Sequence, residues 1–192
     1  QSRCRCTMSG TSGGVLGKSS ILKDANVTWF AQHPEFVRQV QGVTTLRSSR
    51  QTTLRLVEYV VQVYLPRHVG MTMTQGVTCG DLLRSYRKCL KVNGKRLFDV
   101  YARRVKEVVD FGGGLSMTTN TAQLTFFRWA LQEKLLLGIE ENIDTIIETR
   151  KKYRQQKLIQ KRESRRARIV RGSVVKDVSH SSTPVRTPYA EM

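Results

Sequence analysis

Apolar residues recur at helical spacing through the C-terminal half of the chain. In the longest series each apolar residue lies four positions after the last, whereas a strand would place apolar residues at every second position. The series is Phe127, Leu131, Leu135, Ile139, Ile143 and Ile147. It predicts an amphipathic helix within residues 121–171, which Gly138 is expected to kink or divide in two.

Earlier stretches show the same period. Residues 24–41 are predicted to form a helical pair or one broken helix, with Pro34 at the first position of the second part. Residues 54–65 are rich in β-branched side chains, but their polar residues recur at spacings of three and four. We therefore predict a largely buried helix there, which stops at Pro66.

Residues 79–109 are predicted to form an antiparallel helical hairpin. The turn signal Asn93-Gly94 separates two segments that each place apolar residues on one face and basic residues on the other. The second of these helices would bury Leu97, Val100, Tyr101, Val105, Val108 and Val109. The triple glycine at 112–114 is expected to be a flexible break.

Together these elements predict an all-α protein with a single domain of five or six helices. The helical domain is expected over residues 24–160. Residues 1–23 are predicted to be a disordered Ser/Gly-rich arm, and residues 161–192 a disordered tail that is first basic and then rich in Ser, Thr and Pro.

The amount and distribution of charge indicate that this helical protein has a binding partner. The chain of 192 residues carries a formal net charge of +18. Residues 80–106 contribute +7 and residues 150–171 contribute +10, which leaves +1 for the rest. Such a distribution indicates two surfaces that bind a polyanion, either nucleic acid or an anionic membrane.

The candidate contact residues are nineteen of the twenty lysines and arginines of these two segments, all except Lys106. Clustered cations of this kind contact phosphates without reading bases. They are Arg84, Arg87, Lys88, Lys91, Lys95, Arg96, Arg103, Arg104, Arg150, Lys151, Lys152, Arg154, Lys157, Lys161, Arg162, Arg165, Arg166, Arg168 and Arg171.

Other chemistry has little support in the sequence. The four cysteines and three histidines lack zinc-ligand spacing, so no metal or cofactor is expected. Residues 12–19 approach a P-loop, but Ser12 stands where the first glycine belongs. No catalytic motif is present, which favours a non-enzymatic protein. Sparse cysteines indicate a reducing intracellular compartment, and no apolar run is long enough to span a membrane.

The aromatic run Phe126-Phe127-Arg128-Trp129 permits two interpretations. Rings beside an arginine can stack on the bases of single-stranded nucleic acid. Rings this dense would also cover most of a helix circumference, which favours a place in the core with Arg128 pointing outward.

The favoured function is therefore a DNA-packaging or architectural protein of a nucleus or virion. The first alternative is an RNA-binding component of a ribonucleoprotein particle or organellar ribosome. The second is a helical adaptor that docks on an acidic protein or an anionic membrane. A homo-oligomer that forms through the apolar helix face is also compatible with the sequence.

Overall fold

The computed structural model describes residues 17–45, 51–101 and 103–177, with side chains as far as residue 166. This part of the chain is mostly helical and contains seven helices. They are α1 at Lys18–Ala31, α2 at Pro34–Thr45, α3 from Leu54–Tyr59 through a π-helical turn at Val60–Tyr64 to Leu65–Arg67, α4 at Cys79–Leu97, α5 at Thr121–Gln132, α6 at Leu135–Glu141 and α7 at Ile143–Asp177.

Two short antiparallel hairpins correct the expectation that the fold is purely helical. The first joins β1 at Thr72–Thr74 to β2 at Val77–Thr78, and the second joins β3 at Glu107–Asp110 to β4 at Ser116–Thr119. The predicted flexible break at 112–114 is instead the turn of the second hairpin. All three glycines there have positive φ, between 60° and 83°, which other residues rarely adopt.

The predicted helical hairpin at 79–109 is half wrong. Its first helix is α4, but Gly94 interrupts the helical backbone with φ 66° and ψ 164°. After Leu97 the chain runs as a loop into β3, where Val108 pairs with Thr118. Val105 is 90% exposed, although a helix was expected to bury it. Residues 97–109 therefore do not follow their helical period. Pairing between β3 and β4 decides the structure of residues 107–110, and the period of a single segment does not reveal such pairing.

The core of the first half of the molecule is built around α5, which contacts α1, α4 and α6. Phe126 and Phe127 are fully buried and Trp129 is almost so, which confirms that the aromatic run belongs to the core. A buried polar contact accompanies the rings: the Asn26 amide on α1 donates to the Thr125 hydroxyl at 2.8 Å. Arg128 leaves this core and donates to the Ala25 carbonyl at 3.1 Å.

The prediction of a helix at 54–65 is confirmed, but Pro66 does not stop it. Proline has no amide hydrogen, and in a regular α-helix its ring would crowd the carbonyl of Gln62. The turn Val60–Tyr64 immediately before it is π-helical, and this wider turn relieves the crowding. The helix then continues to Arg67.

The long helix predicted over 121–171 is three helices, and Gly138 does not divide it. The first break lies at Glu133 and Lys134, where Lys134 has φ 58°, and the second at Asn142. Gly138 lies inside α6, where the β1 strand passes so close that little room remains for a side chain. A Cβ at this position would lie 2.7 Å from Met73 Cγ and 3.1 Å from the Met73 carbonyl oxygen.

Helices occupy part of both segments that were predicted to be disordered. The helix α1 begins at Lys18, inside the predicted arm, and the Lys18 ammonium donates to the Val92 carbonyl at 2.7 Å. The helix α7 continues through residues 161–177: good helix formers dominate 161–168, and no proline interrupts the stretch. The remaining parts of the predicted arm and tail, 1–16 and 178–192, lie outside the described residues.

The chain separates into two compact units, one that ends at Ile146 and one that begins at Ile147. The first contains the core, both hairpins and α4. The second contains most of α7. The helical domain predicted over 24–160 overlaps the first unit and the start of the second.

The first prediction concerns the core. Phe127→Ala should lower the free energy of unfolding by about 3–5 kcal/mol, because it leaves a cavity beside Phe126 in a fully buried site. Chemical denaturation followed by Trp fluorescence measures this change. As a control, Ile21→Ala removes a side chain that is 58% exposed and should change stability by less than about 0.5 kcal/mol. Equal effects of the two substitutions would contradict the assignment of Phe127 to the core.

The second prediction concerns Gly138. Gly138→Ala should destabilise the protein by roughly 1–3 kcal/mol, because the added methyl group overlaps Met73 and its carbonyl. Alanine usually stabilises a helix relative to glycine, so the expected sign is opposite to that of propensity alone. Gly70→Ala is the matched control, since no atom lies within 4 Å of the place that the new methyl group would take. A rise in melting temperature for Gly138→Ala would refute the close approach.

Candidate nucleic-acid interface

The helix α4 carries the first basic surface. A capping box starts the helix: the Asp81 amide donates to the Thr78 hydroxyl at 3.1 Å, and the Thr78 amide donates to the Asp81 carboxylate at 3.2 Å. The bonds from Thr78, together with the nearby Arg84 guanidinium, hold the pKa of Asp81 below its usual value. Asp81 therefore stays ionised at neutral pH. Its capping contribution is lost only as the pH falls through this lowered pKa.

Polar contacts on the inner side of α4 determine which face meets solvent. The Trp129 indole N–H donates to the Ser85 hydroxyl at 3.0 Å, and this hydroxyl donates to the Glu133 carboxylate at 2.8 Å. The Tyr86 ring packs against Trp129 with 5.5 Å between centroids. Burial, followed by the charges of Asp99 and Glu58, raises the pKa of the Tyr86 phenol. These contacts turn the opposite face of α4 toward solvent.

That solvent face brings together four of the predicted residues. Arg84, Arg87, Lys88 and Lys91 are all exposed, and their spacings of three, one and three place them on one side of the helix before Gly94. Arg84 pairs with Asp81. Within the described part of the chain, the other three make no ion pair.

Lys95 and Arg96 follow the break at Gly94 and are also exposed. They therefore do not continue the face of α4 by helical register. Lys18 lies near this end of α4, because its ammonium donates to the Val92 carbonyl. It was not among the predicted contact residues, since residue 18 fell within the predicted disordered arm. The same bond gives the lysine of the P-loop-like segment a structural partner.

Arg103 and Arg104 lie on a loop, which corrects their predicted place on a cationic helix. Arg103 donates to Glu58 at 3.2 Å and lies 3.4 Å from the Asp99 carboxylate. Its guanidinium carbon is 5.0 Å from the centroid of the Tyr101 ring. Arg103 is thus held by partners on its own loop and on α3. Arg104 is exposed and forms no ion pair with the described residues.

The helix α7 carries the second basic surface, which lies in the second unit. Nine of its predicted contact residues have described side chains. Arg150 is half-buried and the others are exposed; these are Lys151, Lys152, Arg154, Lys157, Lys161, Arg162, Arg165 and Arg166. Lys152 pairs with Glu148 at 3.4 Å. Arg168 and Arg171 belong to the helical backbone of α7, beyond the last described side chain.

One side of α7 forms a shallow depression between basic side chains. Lys157, Gln160, Lys161, Ser164 and Arg165 line it. The Ser164 hydroxyl donates to the Gln160 carbonyl at 2.8 Å, so it lies against the helix backbone. The depression combines three cations with neutral polar groups, a combination that suits an anionic ligand.

Groups for other chemistry are sparse in the described residues. These residues contain no cluster of three His, Cys, Asp or Glu side chains placed to hold a metal ion. Burial raises the pKa of the Cys79 thiol, which keeps it protonated and unreactive at neutral pH. No described helix is both long and apolar enough to cross a membrane.

Comparisons with known proteins identify a family without assigning a function. No curated protein and no solved structure matches the chain. One family model matches residues 18–187, a range that includes every helix and both hairpins. Because this match covers far more than half of the sequence, the chain belongs to the family of unknown function DUF7197.

Proposed function

We propose that this protein binds duplex DNA without enzymatic activity, as a packaging or architectural component of a nucleus or virion. The observation that carries the proposal is the exposed basic face of α7. Arg154, Lys157, Lys161 and Arg165 are separated by three, four and four residues. Residues at these spacings lie above one another on a helix, so the four cations form one stripe.

The length of this stripe suits contact with several phosphates of duplex DNA. Arg150 precedes it at the same spacing, and positions 168 and 171 continue it along the helix backbone. At 1.5 Å per residue, positions 150 to 171 span roughly 32 Å, and duplex DNA carries about one negative charge per 1.7 Å of its axis. A helix about 10–12 Å across also fits a major groove about 12 Å wide.

The same dimensions favour DNA over double-stranded RNA. The major groove of A-form RNA is deep and narrow, and a helix with long side chains does not enter it. RNA-binding modules commonly use exposed aromatic platforms, whereas Phe126, Phe127 and Trp129 are buried here. The RNA alternative therefore has less support from the exposed surface.

The exposed face of α4 is a second phosphate-binding surface in this proposal. Arg87, Lys88 and Lys91 offer three cations without ion-pair partners in the described chain. Such contacts fix a protein on the phosphate backbone and carry little sequence information. An architectural or packaging role needs affinity of this kind more than base recognition.

The third prediction tests the stripe against a general charge effect. Arg154→Gln with Lys161→Gln should flatten the dependence of log K on log salt by about 1.8, because two phosphate contacts are lost. Lys152→Gln with Arg166→Gln removes the same charge from the opposite side of the helix and should change the slope far less. Filter binding to duplex DNA at several salt concentrations measures both slopes.

Equal flattening by the two pairs would contradict a defined binding face. Double-stranded RNA and an acidic protein serve as competitors in the same assay. A parent protein that prefers RNA would favour the ribonucleoprotein alternative. If the acidic protein competes with the bound DNA more effectively than unlabelled DNA does, the result would favour the adaptor alternative.

The fourth prediction concerns phosphorylation of Ser164. A phosphate there adds roughly 1.5–2 negative charges beside Lys157, Lys161 and Arg165 and should weaken DNA binding. Ser164→Glu should reduce the salt slope by about 0.9, equivalent to one lost phosphate contact. Gln155→Glu adds the same charge at an exposed position nine residues from Ser164, which places it on the opposite side of α7, and should have a smaller effect. The idea fails if Ser164→Glu binds like Gln155→Glu in the filter assay.

A further inference from the structure

A cleft of about 900 Å3 lies in the first unit, away from the solvent face of α4. The end of α2, the start of α3, the loop before β3, and β4 form its walls. Small-molecule sites usually measure roughly 300–1,000 Å3, so the cleft is large enough for a ligand. Its cations are Arg55, Arg103 and Lys106, and two of these lie outside the predicted contact residues.

One wall of the cleft is held rigidly by a network of side chains. The Glu58 carboxylate accepts a hydrogen bond from the Tyr101 hydroxyl at 3.0 Å and another from Arg103 at 3.2 Å. Arg103 also pairs with Asp99 at 3.4 Å. Burial and the bond to Glu58 raise the pKa of Tyr101, which keeps its phenol protonated as the donor. In this network the Arg103 guanidinium lies between two carboxylates, and the network positions the wall before any ligand arrives.

The two remaining cations of the cleft are not balanced in this way. Arg55 and Lys106 are exposed, and neither forms an ion pair with any described residue. With Arg103 they give three cations against the carboxylates of Glu58 and Asp99, a formal sum of +1. A concave surface concentrates the field of such charges, so the cleft attracts an anion.

Neutral polar groups complete the lining. Along β4 the side chains of Ser116 and Thr118 are exposed, whereas the intervening Met117 is buried. Both hydroxyls therefore face outward at the cleft. The Gln41 amide donates to the Ser116 carbonyl at 2.8 Å, which leaves the side-chain oxygen of Gln41 as an acceptor. These groups suit the hydroxyls and ring nitrogens of a polar ligand.

We propose that this cleft binds a phosphate monoester of nucleotide size, with Arg55 and Lys106 contacting the phosphate. A phosphate offers oxygen acceptors to both of these unpaired cations, and arginine pairs with phosphate through two parallel hydrogen bonds. The Ser116 and Thr118 hydroxyls contact the rest of the ligand. Free nucleotides and the ends of nucleic-acid strands both present this group.

Isothermal titration of the full chain with adenosine 5′-monophosphate tests the site. One molecule should bind per chain, and adenosine without the phosphate should bind at least about tenfold more weakly. Arg55→Gln and Lys106→Gln should each weaken binding of the monophosphate about tenfold. Both side chains are exposed, so the melting temperature should remain that of the parent and would reveal a variant that fails to fold.

The control separates the cleft from the general positive charge of the chain. Lys95→Gln removes one exposed cation outside the cleft and should leave the affinity for the monophosphate unchanged within about twofold. Binding by Arg55→Gln that equals binding by the parent would overturn the site. Equal losses in Arg55→Gln and Lys95→Gln would overturn it as well, since they would indicate unspecific attraction.

A further comparison identifies the source of the phosphate. A short single strand with a 5′-phosphate is titrated beside the same strand with a 5′-hydroxyl. A 5′-phosphate that strengthens binding of the strand by about tenfold assigns the cleft to strand ends, and equal binding of the two strands assigns it to free nucleotides. Arg55→Gln should leave the dependence of log K on log salt unchanged for long duplex DNA. The proposed nucleotide site rests on the cleft alone, so this measurement tests it separately from the proposed DNA-binding function.

Discussion

The indole of Trp129 joins three parts of the first unit, and the exposed basic surface of α4 depends on it. Its ring packs against Phe98 and Phe126 with centroid distances of 5.6 Å and 5.5 Å. Its N–H bonds the Ser85 hydroxyl of α4. The apolar contacts supply the free energy of packing, whereas the hydrogen bond, being directional, fixes the rotation of α4 about its axis. Arg87, Lys88 and Lys91 consequently face water.

Repulsion between like charges is the second constraint, and it acts on both basic helices. On a helix, cations three or four residues apart disfavour the folded form by roughly 0.2–0.5 kcal/mol per pair. In α7 such pairs follow one another, and the ion pair between Lys152 and Glu148 offsets only part of this cost. Asp144 in the first turn adds a favourable contact with the helix dipole. A polyanion along the stripe would remove the repulsion, so the proposed binding and the helical form of α7 support one another.

Local periodicity predicted much of the helical structure but failed where distant residues decide the conformation. Residues 79–92 and 54–65 are helical as expected, because each segment buries the apolar face that its own period defines. Residues 98–101 and 103–106 are not helical. Tyr101 and Arg103 bond Glu58, more than forty positions away, and β3 pairs with β4. The glycine at 138, which was expected to interrupt the helix, instead makes room for Met73 of β1.

The sequence by itself determined the properties that follow from composition and spacing: a mostly helical chain, an aromatic run that enters the core, and two segments of concentrated positive charge. These properties depend on residues that are close together in the sequence, since neighbours on a helix face are only three or four positions apart. The tertiary structure alone decided which cations stand together. It moved Arg103 from the predicted helical face to the side of Glu58, and it brought Arg55 and Lys106 into one cleft. These residues are about fifty positions apart, and packing between distant segments leaves no periodic signal in the sequence.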